Sequence, residues 1–135
     1  MENKRSDCPV SCSLEIFGDK WSLLIIRDVM MKGRMSYSEF LKSEEKIATN
    51  ILSSRLKLLE EEKILVKEVS PTNKSKFDYY LTQKGADLLP VLVEIACWGG
   101  KYNENSHSSE LYQKVKKNKT DFLENASREL KKRVK

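Results

Sequence analysis

The sequence predicts a mainly α-helical domain that carries one small β-hairpin. Apolar residues recur at helical spacing in several separate stretches of the chain. Two short stretches rich in β-branched and aromatic residues flank a cluster of turn-forming residues at positions 70–76. The length of 135 residues, of which 39% are hydrophobic, is enough for one domain with its own core.

The sequence lacks the features of membrane-spanning and secreted proteins. No window approaches the roughly 18–20 consecutive apolar residues that a transmembrane helix needs. The charged start from Met1 to Ser6 is followed by no apolar export signal. Three cysteines are an odd count, which argues against a disulfide framework. We therefore expect a cytoplasmic protein that makes no contact with a membrane.

The residues that most enzyme and metal sites require are also missing from the sequence. The lone His107, together with Cys8 and Cys12, does not supply the roughly four ligands of a zinc site at a recognisable spacing. No glycine-rich phosphate loop and no nucleophile with a histidine partner are present. We expect neither a cofactor nor a metal ion, and no enzymatic activity.

Two helices are predicted at the start of the chain. Pro9 suits the first position of a helix, where its missing N–H group would be unpaired in any case. The pair Gly18-Asp19 interrupts this helix. From Lys20 the apolar spacing resumes and widens, which indicates a largely buried helix that ends near Lys32-Gly33.

A short helix followed by a longer one is predicted next. Ser36 and Glu39 have the spacing of a capping box, which places a short helix at 37–42. Further on, apolar residues at helical period leave a polar face outside. Between Lys46 and Lys57 there are three basic residues and no carboxylate, whereas three glutamates follow at 60–62. One end of the longer helix therefore suits an anion, and the other end repels it.

The hairpin and a strongly apolar helix follow. Strands are predicted at 65–69 and 77–81, joined by a mobile basic turn. Thr82 can cap the next helix, in which the run from Leu88 to Trp98 is interrupted by Pro90 and Glu94. Pro90 should kink or split this helix. A helix that is apolar all round must be buried on several sides, so we expect a second chain to cover part of it.

The C-terminal tail carries the whole surplus of positive charge. Residues 1–105 contain 16 basic and 16 acidic residues, whereas residues 106–135 contain 9 basic and 4 acidic residues. A linker is predicted at 103–109, followed by one or two amphipathic helices. Their lysines either add phosphate affinity or form the solvated face of helices that clasp a dimer. We expect a domain at 1–103 and a basic helical extension at 104–135.

The predicted order is helix, short helix, second helix, hairpin, helix, which is the layout of a winged helix-turn-helix domain. In such a domain a slim polar helix enters the major groove of DNA, about 12 Å wide, and the hairpin reaches phosphate or the minor groove. Winged domains also occur as modules that bind only proteins. The order of elements leaves both possibilities open.

Several separated motifs resemble the HxlR-type transcriptional regulators, which are relatives of the MarR group. The resemblance runs from about Cys8 to about Tyr102. It implies a homodimeric winged helix-turn-helix protein whose terminal helices build the dimer and which binds a pseudo-palindromic site on double-stranded DNA. It is carried by the segments Cys8-Pro9-Val10, 18–28 (GDKWSLLIIRD), Tyr37-Ser38-Glu39-Phe40, 51–60 (ILSSRLKLLE), 79–85 (YYLTQKG) and Trp98-Gly99.

The resemblance places the DNA-reading helix, called the recognition helix, at 49–62 and the hairpin, called the wing, at 66–81. The candidate contacts are polar residues on the helix surface, a serine at the preceding helix start and two lysines of the wing. An ordinary solvated surface is the alternative for each of them. The candidate DNA-binding residues are Ser36, Thr49, Asn50, Ser53, Ser54, Lys57, Lys74 and Lys76.

The chain departs from the family pattern in three places. Ala48 precedes the recognition helix where the family usually has Ser or Thr, so either the cap is missing, which costs about 0.5–2 kcal/mol, or Thr49 starts the helix one residue later. Lys63 stands where the family usually has Gly, the residue that most easily allows a left-handed helix end. The third departure is the extension beyond residue 103.

Cys8 and Cys12 are candidates for redox sensing. At the start of a helix the free N–H groups favour a thiolate at Cys8, and Cys12 lies one turn away as a possible resolving partner. Some members of the resembled family respond to thiol-reactive compounds through a cysteine at this place. The alternative is that both thiols are buried or idle. A thiol-reactive or other small-molecule effector is therefore a candidate partner, besides DNA and a second copy of the chain.

Overall fold

The computed structural model describes residues 4–107 and 109–135, so Met1 to Asn3 and, within the predicted linker, Ser108 lie outside the described residues. Helix α1 spans Pro9–Phe17, with Cys8 as its N-cap and Pro9 in the first turn, as predicted. Helix α2 spans Ser22–Lys32 and ends at Gly33, whose φ of 86° is easily adopted only by glycine. Both predicted helices are confirmed.

A two-residue strand, β1 (Met35–Ser36), leads into helix α3 (Tyr37–Phe40). The predicted capping box is present, with the Ser36 side chain accepting from the N–H of Glu39 and the Glu39 carboxylate accepting from the N–H of Ser36. Helix α3 ends two residues before the predicted Lys42, because the N–H of Lys42 bonds the Glu39 carbonyl in a tighter turn.

Helix α4 spans Thr49–Glu61 and is the predicted recognition helix. Ala48 is its N-cap, in an extended conformation and without a side-chain hydrogen bond, so the helix does not begin one residue later with Thr49 as the cap. The N–H of Lys63 bonds the carbonyl of Glu60, and the N–H of Ile64 bonds that of Leu59. These two bonds form a Schellman motif. Lys63 has the φ of 60° that this motif requires, although it is not glycine.

Strands β2 (Leu65–Val69) and β3 (Phe77–Leu81) form the predicted hairpin, in the antiparallel register that pairs Leu65 with Leu81 and Val69 with Phe77. The sequence did not predict β1, which pairs with β3 on its other side and gives the strand order β1-β3-β2. Two residues are too few to show the alternation by which a strand is recognised.

Thr82 caps the short helix α5 (Gln83–Ala86), and helix α6 follows at Leu89–Tyr102. Pro90 lies in the first turn of α6, so it splits the predicted helix in two rather than bending it.

The tail forms a 3₁₀ turn at Glu104–Ser106 and the helices α7 (Glu110–Lys117) and α8 (Lys119–Arg133). Val115 and Leu130 are 1% and 5% exposed and belong to the same apolar cluster as the core of the preceding elements. The backbone N–H of Lys135 donates to the carbonyl of Leu81 in β3 at 3.0 Å. The tail thus packs on the rest of the chain, while the division into 1–103 and 104–135 stays a prediction.

Candidate nucleic-acid interface

The recognition helix α4 buries one side and exposes the predicted polar side. Leu52, Leu56 and Leu59 are each at most 2% exposed and anchor the helix to the core. The side chains left at the surface are those that the sequence predicted for α4. These exposed residues are Thr49, Asn50, Ser53, Ser54 and Lys57.

The N-terminal end of α4 carries positive potential. No acidic residue lies in its first turn, and within the part of the chain that the structure describes the N-cap residue Ala48 makes no side-chain hydrogen bond to the free N–H groups there. Such groups and the helix dipole together favour a nearby phosphate. At the opposite end, Glu60, Glu61 and Glu62 are each at least partly exposed. The polarity of the helix is therefore the one predicted from the sequence.

Tyr37 links helices α3 and α4 through its hydroxyl. Its hydroxyl donates to the backbone carbonyl of Thr49 at 3.1 Å and lies 3.0 Å from the Ser53 hydroxyl oxygen. We call these two contacts of the Tyr37 hydroxyl the brace between α3 and α4. The hydroxyl of Ser53, a predicted DNA contact, is therefore also part of the brace. Local sequence patterns do not reveal this role of Tyr37, because Thr49 and Ser53 lie 12 and 16 residues further along the chain.

Local hydrogen bonds link residues within the turn of the wing, whose predicted mobility stays a prediction. The Asn73 side-chain oxygen accepts from the N–H of Ser75 at 3.0 Å and from its hydroxyl at 2.7 Å. Lys74 and Lys76 are exposed. Within residues 4–107 and 109–135 neither lysine has a carboxylate within 4.0 Å, and the same holds for Lys57. Their charges are available to an anion from outside.

A groove of about 350 Å³ lies between the start of α3 and the wing. It brings together the predicted residues Ser36 and Lys76, and also Ser38, Lys67 and Ser75, which were not predicted from the sequence. The one sign in the sequence of a role for Lys67 is its positive charge, since it is the only basic residue of strand β2. Ser36 is half-buried, and its hydroxyl donates to the Glu39 carboxylate at 3.0 Å. The DNA-binding role of Ser36 and of the other residues stays a prediction.

The candidate redox residue Cys8 is exposed at the start of α1. The backbone N–H groups of Ser11 and Val10 lower the pKa of its thiol below the ordinary value. Cys12 is half-buried, and its thiol donates to the carbonyl of Ser6 at 3.2 Å. Cys97 is half-buried against the core. All three thiols are free.

Two helices present exposed apolar residues, which we call the apolar strips. On α1 the strip is Val10 and Leu14, which are 66% and 47% exposed. On α6 it consists of four residues spaced along one face, with exposed fractions between 36% and 69%. The α6 strip is Val91, Ile95, Trp98 and Tyr102.

In residues 4–107 and 109–135 no group of three or more His, Cys, Asp or Glu side chains is placed to hold a metal ion. Within the same residues no helix combines the length and the apolar character that crossing a bilayer requires.

The sheet order, the paired helices α3 and α4 and the hairpin with its basic turn define a winged helix-turn-helix protein. A family described as HxlR-like helix-turn-helix matches residues 16–107. The chain belongs to this family of transcriptional regulators.

Named transcriptional regulators are similar to this chain in sequence or in structure. The chain is 32% identical over 108 residues to the HTH-type transcriptional regulator YdeP of Bacillus subtilis, which covers 80% of this chain and 84% of YdeP. It resembles the reduced form of the transcriptional regulator YodB from B. subtilis, with a TM-score of 0.60, 31% identity and coverage of 74% of this chain and 98% of YodB. It also resembles the redox regulator HypR in its oxidized form, with a TM-score of 0.64, 29% identity and coverage of 71% and 98%. YodB has further been solved quinone-bound and diamide-treated.

Proposed function

We propose that this regulator binds double-stranded DNA sequence-specifically, as a homodimer on a pseudo-palindromic operator. The observation that carries the proposal is the exposed, acid-free face of α4, together with the wing lysines Lys74 and Lys76, which have no carboxylate partner among the described residues. An α-helix fits the major groove, where an asparagine such as Asn50 can pair with adenine and a lysine such as Lys57 with guanine or phosphate. The wing lysines and the groove beside α3 then meet the DNA backbone.

The apolar strips support the homodimer. A lone chain would expose Trp98 to 69% and Val10 to 66%, which a second copy would cover through the same surface. A symmetric pair presents two recognition helices to two half-sites. For helix-turn-helix dimers the half-sites lie about 34–36 Å apart, which is one turn of DNA, or a multiple of it.

The exposed thiol of Cys8 supports control by a thiol-reactive effector. Its lowered pKa raises the fraction of thiolate, which is the reactive form. The likeness to a redox regulator and to a protein solved in quinone-bound and diamide-treated forms agrees with this role. Cys12 stands as the second candidate, since its backbone N–H bonds the Cys8 carbonyl at 2.9 Å and places it one turn away.

Fluorescence anisotropy with DNA from upstream of the chain's own coding region, and with random DNA of equal length, tests DNA binding. The affinity is measured at two salt concentrations, because its salt dependence reports the contacts to phosphate. We expect cognate binding that weakens with salt, by about 0.9 in log–log slope for each phosphate contact. Lys76→Ala should weaken binding to both DNAs, and Asn50→Ala should cost about 1–3 kcal/mol on the cognate DNA alone.

Lys114→Ala is the matched control, because Lys114 lies on α7 and pairs with Glu110 at 2.8 Å, away from the wing. It should leave both affinities nearly unchanged. Absent or salt-insensitive binding would instead favour the second candidate, a winged module that contacts only proteins. Equal losses on both DNAs for Asn50→Ala would contradict its role in reading bases.

A further inference from the structure

A cavity of about 200 Å³ lies between the helices of the core and the C-terminal extension. One wall comes from Met30 of α2 and from Leu92 and Val93 of α6. The opposite wall comes from the extension. Its main residues are Leu111, Phe122 and Ala126.

The interior of the cavity is built almost wholly of carbon atoms. Two of the three charged residues among its lining, Glu129 and Arg133, are exposed at the surface. The guanidinium of Arg27 is held by Asp28 at 2.8 Å and by Glu45 at 2.9 Å. Met31 also lines the cavity and is 68% exposed, so the cavity opens to solvent beside it. A water molecule inside would find few of the 2–4 polar partners that it normally requires.

We propose that this cavity is a binding site for a small uncharged apolar molecule of about the size of one aromatic ring. A dry apolar cavity of roughly 150 Å³ is known to be large enough for benzene. The carbon walls offer a charged ligand no compensation for lost hydration, because Arg27 is already paired. The two methionines can adjust to the shape of a guest, since their side chains are flexible and polarizable.

One wall of the cavity lies beyond the part of the chain that the family match covers. Helices α7 and α8 begin at Glu110 and Lys119, whereas the family match ends at residue 107. None of the residues of the apolar strips lines the cavity, so a partner chain that covers the strips leaves it free. The proposal does not depend on DNA binding, and its test uses no DNA.

The test is a titration of the full chain with toluene, followed by NMR on protein whose methionine methyl groups carry ¹³C. The sequence has 4 methionines. We expect the methyl signals of Met30 and Met31 to shift and to saturate with one common dissociation constant. Met35 is 2% exposed and does not line the cavity, so its signal should stay in place.

Two variants change the cavity in opposite directions. Ala126→Phe fills it and should abolish the saturable shift, whereas Ser127→Phe, at an exposed neighbouring position, should leave the shift unchanged. Phe122→Ala enlarges it and should let the two-ring molecule naphthalene bind more tightly than it binds the unaltered chain. Circular dichroism verifies that each variant is folded.

Shifts that grow linearly without saturation would overturn the proposal, as would equal shifts of the Met30, Met31 and Met35 signals. Saturable binding that survives Ala126→Phe in a folded protein would place the ligand elsewhere and would overturn it as well. If Ala126→Phe does not fold, the naphthalene affinity of Phe122→Ala decides, and an affinity no higher than that of the unaltered chain would count against the site.

Discussion

The guanidinium of Arg55 in the recognition helix lies 3.5 Å from the carboxylate of Asp19, which in turn holds the start of helix α2. One Asp19 oxygen accepts from the N–H groups of Trp21 and Ser22, each at 2.9 Å. The other accepts from the Ser22 hydroxyl at 2.6 Å. Ser22 is fully buried, so this carboxylate satisfies its hydroxyl and orients the recognition helix at the same time.

Asp19→Ala should destabilise the fold by about 1–3 kcal/mol at pH 7, because it removes the acceptor of two backbone N–H groups and leaves the buried Ser22 hydroxyl unpaired. Partial burial raises the pKa of Asp19, but the Ser22 hydroxyl, the two N–H groups and Arg55 outweigh it and lower the pKa. The charged carboxylate therefore stabilises the protein above the unfolded-state pKa of about 3.9, and this contribution is lost as the pH falls through the lower, folded-state value.

Urea unfolding of Asp19→Ala and of the unaltered chain, at pH 7 and at several values below pH 4, measures the difference in their free energies of unfolding. We expect the gap between them to shrink as the pH falls. Asp7→Ala is the control, since the Asp7 side chain is 89% exposed and pairs with Lys4 at the surface. A gap for Asp19→Ala that stays constant with pH would contradict the assigned role of the charge.

Tyr37→Phe tests the brace between α3 and α4. Loss of the hydroxyl removes its bonds to Thr49 and Ser53 and should cost about 0.5–1.5 kcal/mol of stability. Because α4 is then held less firmly, Tyr37→Phe should lower the affinity for cognate DNA more than it lowers the affinity for random DNA. Tyr112→Phe is the control, since Tyr112 lies on α7, outside helices α3 and α4 and outside the apolar strips. Equal affinities for Tyr37→Phe and the unaltered chain would show that the brace does not position α4.

Local patterns predicted the main elements of the fold. Pro9, Thr82 and the Ser36 capping box mark helix starts through contacts within a few residues, and the structure places them there. Both hairpin strands are found at the predicted residues, because β-branched and aromatic residues bounded by turn formers give a local signal.

Features that depend on distant parts of the chain were not predicted. Strand β1 exists only because β3 pairs with it, across more than forty residues of sequence. The groove that joins Ser38 to Lys67 and Ser75 likewise combines separate segments. The cavity under α7 and α8 results from the packing of the tail on α2 and α6. The spacing of apolar residues along the tail predicted a buried stripe, but it did not show against which helices that stripe packs.

Lys63→Gly should stabilise the protein by about 0.5–1 kcal/mol. Lys63 has a φ of 60°, which costs a residue with a Cβ atom about 1–2 kcal/mol, whereas glycine adopts it freely. The greater freedom of glycine in the unfolded chain offsets part of this gain. Lys57→Gly is the matched control, because the same change inside α4 should destabilise by about 1 kcal/mol. Chemical denaturation measures both, and a loss of stability for Lys63→Gly would refute the argument from backbone strain.

Trp98→Glu should dissociate the proposed homodimer, because it places a charge in the middle of the α6 strip. Analytical ultracentrifugation should then find the variant monomeric at concentrations where the unaltered chain is dimeric. Met31→Glu is the control, since Met31 is 68% exposed but lies outside the strips, and it should remain dimeric. If Trp98→Glu forms dimers as well as the unaltered chain does, the α6 strip is not the interface.

Cys8→Ser should remove the response to thiol-reactive compounds. Cys8 is exposed, and the N–H groups of Ser11 and Val10 lower its pKa, so near neutral pH it should be alkylated by iodoacetamide faster than the half-buried Cys97. Mass spectrometry of the modified peptides measures these rates without DNA. Diamide or a quinone should release the unaltered chain and Cys97→Ser from DNA, but not Cys8→Ser. Release of Cys8→Ser at the rate of the unaltered chain would exclude Cys8 from the switch, whereas slow alkylation of Cys8 would contradict the effect of the helix start on its thiol.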